Sequence, residues 1–117
     1  MGPSDRVVQS VLLGEAVEHA PVAILVADDE LRYVAANATA CELLGYAREE
    51  LLELRVTDIA SYPEAEGEFE AMVATGELIG RTVVTLKDGS RRSLQHRSSE
   101  IRIAGLEYYV AVLWPDA

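Results

Sequence analysis

Apolar and polar positions change period several times along these 117 residues, and each change marks an element. Between positions 5 and 18, Val7, Val8, Val11, Leu12 and Ala16 recur at helical spacing. Glu15 and Glu18 lie off that stripe and Ser4 is placed to cap, which predicts an amphipathic helix. Pro21 stops it and releases the chain into an extended run. Residues 23–27 and 31–35 then read as two strands turned by Asp28, Asp29 and Glu30. The stretch NATACELLGYAREELL, residues 37–52, predicts a short helix, a Gly45-Tyr46 break and a second helix, which from Glu49 continues into Val56 and Ile59. Pro63 opens another helix that runs to Gly76, with Phe69, Met72 and Val73 as its apolar stripe. Residues 79–86 alternate as a strand, Lys87-Asp88-Gly89-Ser90 turns it, residues 91–103 return, and Gly105 reverses the chain into residues 106–114.

The turn at Gly89 determines which side chains share a face. A three-residue loop with Gly89 in the left-handed bulge position pairs Leu86 with Ser90. Thr82, Val84 and Leu86 then join Leu94, His96 and Ser98 on the face toward the helices. Tyr109, Ala111 and Leu113 face inward on the last strand, while Tyr108, Val110, Val112 and Trp114 face out. Both sides of that strand are apolar and both require cover, so the N-terminal helix is expected over the outer one. The inward set on the first two strands is Ala23, Leu25, Ala27, Tyr33 and Ala35. Such small residues either leave a cavity or let the helices approach closely, and the pattern leaves both open.

The order strand, acidic turn, strand, Asn37, CELLGY, EEL, then T-LKDGS before a basic strand, resembles a PAS domain over residues 20–114. That resemblance implies an α+β fold: a five-stranded antiparallel sheet with short helices on one face and the amphipathic helix, residues 1–20, flanking the domain at 21–117 on the other. It implies a sensory domain of a bacterial-type signal transduction system, regulating a histidine kinase, cyclic-nucleotide enzyme or transcription regulator that this chain does not contain. Where members of the family often carry Asp-Ile-Thr before an output helix, this chain reads Trp114-Pro115-Asp116-Ala117. A leading helix of this kind often pairs two subunits, which makes Val7, Val8, Val11, Leu12, Val110, Val112 and Trp114 the expected homodimer interface. The expected ligand site is Leu25, Ala27, Ala40, Leu43, Val56, Met72, Thr82, Val84, Leu94, His96 and Ser98. Its apolar walls and few polar groups suit a small apolar or mixed molecule.

Composition narrows the chemistry. A net charge of −10 repels phosphate backbones and argues against nucleic acid, and Arg91, Arg92 and Arg97 read as decoration of one strand. No apolar run approaches the ~20 residues that span a bilayer, and residues 1–15 lack the pattern of a signal peptide, so a cytoplasmic protein without membrane insertion is expected. One cysteine, Cys41, excludes an internal disulfide. Against the family's covalent flavin chemistry, the corresponding run here is LRVTDIA and Val56 stands at the thiol position. Against haem, the helix from Glu64 to Gly76 carries no histidine; Met72 there reads as core and His19 as a linker residue. The cofactor is thus left unnamed, with covalent flavin and haem disfavoured. Two further readings use the same residues: a ligand-free dimerisation module, and a small isomerase using Tyr33 or Tyr109. For the latter no buried carboxylate base is evident, and the chain is read as non-enzymatic.

Overall fold

The computed structural model describes residues 5–60 and 77–115. Helix α1 (Arg6–Glu18) leads into β1 (Ala23–Asp28) and β2 (Tyr33–Ala36), followed by three short helices, α2 (Ala38–Leu44), α3 (Arg48–Leu51) and α4 (Val56–Ile59). Strands β3 (Glu77–Thr85), β4 (Arg91–Ile103) and β5 (Leu106–Pro115) complete one antiparallel sheet in the order β2-β1-β5-β4-β3. The helix expected between Pro63 and Gly76, with Phe69, Met72 and Val73, lies outside the described residues.

Local chemistry sets each boundary. Asp5 rather than Ser4 caps α1, its carboxylate accepting the Val7 and Val8 N–H groups. Asn37 caps α2, and Gly45 at φ +82° ends it in the left-handed conformation that few other residues adopt cheaply. The predicted second helix, running into Val56 and Ile59, divides into α3 and α4. Each has an acid three residues in that reaches back to the preceding N–H: Glu50 to Ala47 at 2.9 Å and Asp58 to Arg55 at 2.8 Å. The intervening segment bonds to the β1–β2 side instead, the Tyr33 N–H donating to Leu54 O and the Val56 N–H to Leu31 O.

The β3–β4 turn has the expected three-residue geometry. Gly89 takes φ +87°, and the Leu86 N–H donates to Ser90 O at 2.8 Å. Thr82 stands opposite Leu94, and Thr82, Val84, Leu94 and His96 are all buried. Tyr109 and Leu113 are buried on β5, as that register requires. Strand β2 departs from strict alternation. Val26 pairs with Ala35 but Ala27 pairs with Tyr33, so a bulge at Val34 shifts the register by one residue. Tyr33 still points inward; Ala35 is exposed, and Ala36, opposite Leu25, packs against the core in its place.

The β4–β5 connection is the two-residue loop Ala104-Gly105, with φ +53° and +80°. Paired positive φ values suit Asn-Gly far better than Ala-Gly, because a Cβ crowds the carbonyl in the left-handed region. Ala104→Asn is therefore expected to stabilise the domain by about 0.5–1 kcal/mol, roughly 2–6 °C in Tm. A thermal melt showing no gain would mean that asparagine offers no relief at that position.

The expected cover of the outer sheet face by α1 is not observed. No α1 residue is buried, and Val7, Val11, Leu12 and Leu13 are 57–68% exposed. At 100° per residue, Leu13 and Val17 fall opposite the stripe of Val7, Val8, Val11 and Leu12, so the helix is apolar on two sides. No single sheet face could cover both.

Candidate functional site

Between sheet and helices lies an apolar cluster built on all five strands below, Tyr33 coming from β2, and α2 to α4 above. Leu44, Leu51, Ile59 and Leu94 are its largest fully buried side chains. Most of the expected ligand-site residues meet there. Leu25, Ala27, Ala40, Val84 and Leu94 belong to the buried cluster, with Leu43 and Val56 packed partly buried against it. Met72 lies outside the described residues.

Three polar side chains interrupt the apolar face on β3 and β4. His96 is 5% exposed, and its Nδ1 lies 3.3 Å from the hydroxyl of half-buried Ser98. Thr82 is 6% exposed, and its hydroxyl has no hydrogen-bond partner among the described residues. Gly80 pairs with His96 across the strands, and a Cβ placed on it would come 3.9 Å from His96 Nε2, so glycine leaves room beside the imidazole. A buried hydroxyl without a partner costs about 1–3 kcal/mol. The face therefore offers a polar foothold to a small molecule that brings its own donor or acceptor.

The Cys41 thiol and the Tyr109 phenol both lie above their usual pKa range. Burial raises the Cys41 pKa despite the neighbouring Arg48, leaving a protonated thiol packed against the core. Burial, reinforced by the negative charges of Glu107, Glu100 and Asp29, also raises the Tyr109 phenol above its usual range. No group of three or more His, Cys, Asp or Glu among the described residues could hold a metal ion, and no described helix is long and apolar enough to cross a membrane. Away from the inward face, a groove of about 240 Å³ opens between Asp28, Asp29, Val34, Leu106, Glu107 and Tyr108.

Asn37 has a larger role than an N-cap alone would imply. It is 4% exposed, and its Oδ1 accepts the Ile24 and Ala40 N–H groups at 2.9 and 3.0 Å. Its Nδ2 donates to Val17 O at 2.7 Å and Val22 O at 3.0 Å. The helix start Asn-Ala-Thr-Ala announces the cap. The ties to Val17 and Val22 depend on tertiary placement and have no local signal.

A family model described as the PAS fold matches residues 17–112, and the chain belongs to that family. The sheet order and helical layer agree with solved members. A PAS domain from a two-component sensor histidine kinase superposes with a TM-score of 0.86 at 14% identity, over 96% of this chain and 100% of that one. A domain of a sensory box sensor histidine kinase/response regulator from Geobacter sulfurreducens gives 0.78 at 21% identity, over 98% and 100%. An RNA-binding light-oxygen-voltage receptor gives 0.83 at 22% identity, over 98% of this chain and 35% of that one. No curated protein matches the sequence. PAS domains are generally sensory rather than enzymatic.

Proposed function

We propose that this PAS domain is the sensory module of a signalling protein and binds a small, largely apolar molecule against the inward face of its sheet. The observation that supports this reading is the Thr82 hydroxyl, buried without a partner among the described residues, near His96 on a largely apolar face. The domain regulates an output unit, and sensor histidine kinases are the context of two of its structural neighbours. Covalent flavin chemistry is not part of the proposal: the resemblance puts Val56 at the family's thiol position, and Val56 packs partly buried against the core.

A second reading, compatible with the first, is pairing of two copies through α1 and the outer sheet face. It is favoured by the exposure of Val7, Val11, Leu12, Leu13 and Val17 on one helix, a concentration of apolar surface that soluble monomers rarely leave open. Val110, Val112 and Trp114 on β5 are half-buried and complete that face.

The two readings separate experimentally. Absorbance and native mass spectra of protein purified without refolding should show a bound chromophore or added mass. The variant Ala27→Phe, placed in the buried cluster, should lose that species while its Tm stays within a few degrees. If the cluster already fills the space, the added ring costs about 1–3 kcal/mol and the wild type runs at apo mass. That outcome removes the ligand reading and leaves pairing.

A further inference from the structure

The last turn of α1 is fastened to the helical layer by three side chains from outside it. Asn37, the cap of α2, donates to Val17 O, one of the carbonyls that a helix end leaves without an intrahelical partner. Thr39 on α2 donates its hydroxyl to Ala20 O, immediately after the helix. Arg48, the first residue of α3, forms an ion pair with Glu18 through Nη2 while its Nε donates to Ala36 O at 3.0 Å. Further along, α1 has no buried residue to hold it against the domain. The same two short helices are tied on their other side to the β3–β4 hairpin. The Lys87 N–H donates to Leu44 O at 3.1 Å, and Lys87 Nζ reaches Glu50 of α3 at 2.7 Å.

We propose that this latch steers α1: a shift of α2 and α3 over the sheet is delivered as a change in the direction of α1. The argument is mechanical. Asn37 belongs to the start of α2 and, at the same time, holds the end of α1 and the start of β1 through Val17 and Val22. Displacing α2 therefore moves the base of α1. A 13-residue helix is about 20 Å long, so a tilt of ~10° at its base carries the far end about 3 Å. Ala40 and Leu43 place α2 over the proposed ligand face, so the inference rests on the reading of that face as the sensor and of α1 as the element that pairs.

Distance measurement between two spin labels tests the proposal without ligand and without pairing. The labels go on Arg6→Cys, exposed at the far end of α1, and on Arg92→Cys, exposed on β4, in a Cys41→Ser background. Labelled protein is diluted into unlabelled protein so that only distances within one chain are read. The expected result is a narrow distribution that broadens or moves by about 3 Å in Thr39→Val and Arg48→Gln. It should move again in Lys87→Gln, which touches no part of α1. An unchanged distribution in the first two variants would show that α1 is held by something else. A change in those two with none in Lys87→Gln would make the latch a static anchor; either result overturns the proposal. Failure of the ligand or pairing readings shows separately, in native mass and oligomeric state.

Discussion

Replacing Asn37 by alanine is expected to cost about 3 kcal/mol and to lower Tm by about 15 °C. Both acceptor positions of the carboxamide oxygen and both donors of its nitrogen are used, and all four partners are backbone groups from three separate segments. Alanine strands the Ile24 and Ala40 N–H groups, removes the donor to the Val22 carbonyl, and leaves the Val17 carbonyl only the Ala20 N–H at 3.3 Å. Loss of the cap alone accounts for only about 1 kcal/mol of the total. Asn37→Ser partitions the effect, because a serine hydroxyl can cap Ala40 but is too short to reach Val17. It should recover the cap's share, about 1 kcal/mol, and leave the rest of the loss in place. Urea and thermal unfolding of the three proteins measure this. A fall of less than about 4 °C for Asn37→Ala would mean that water enters and satisfies the same groups.

Asn37 also shows what the chain discloses by itself. Where the signal is local, sequence and structure agree. Lys-Asp-Gly-Ser dictates a turn with Gly89 at positive φ, the turn dictates that Thr82 opposes Leu94, and alternation then buries Val84, His96, Tyr109 and Leu113. Asp88 helps hold that turn. The Ser90 hydroxyl and N–H both donate to its carboxylate, which lies below its usual pKa for that reason. Strand β2 was legible as a strand but not in register. Nothing in Leu31-Arg32-Tyr33-Val34 encodes a bulge. It arises where Arg32 bridges to Arg55 while Tyr33 must still reach the core, so two residues are accommodated opposite one.

The inward face was legible as apolar with three polar interruptions, because burial follows alternation once the register is known. That Thr82 has no partner among the described residues was not, since satisfaction of a hydroxyl depends on which backbone carbonyls pack nearby. The division of the middle segment into α3 and α4 was hidden for a similar reason. Leu54 and Val56 bond to the β1–β2 side, a tertiary demand that overrides helix continuation. For α1, helical spacing gave the element correctly, but the stripe chosen from it omitted Leu13 and Val17. Those two residues make the helix apolar on a second side, and a helix of that kind needs more than one neighbour.

The second large effect is expected on α1 itself. Val11→Asp with Leu12→Asp should leave the stability of the single domain within about 0.5 kcal/mol, because these side chains are 59% and 57% exposed and little packing is lost. If α1 pairs with a second copy, the same two carboxylates must be desolvated in the interface, each costing a few kcal/mol against the apolar side chain it replaces. The dimer dissociation constant should then rise by at least ~100-fold, since 1.4 kcal/mol is already tenfold. Sedimentation velocity at several protein concentrations reads the association, and thermal melts read the fold. Loss of pairing with an intact melt is the expected pattern, because it separates an interface from a core. A wild type that stays monomeric at high concentration would remove the pairing reading and leave α1's two apolar sides to a partner other than this chain. A variant that melts well below the wild type would show instead that α1 contributes to the fold through contacts its exposure does not reveal.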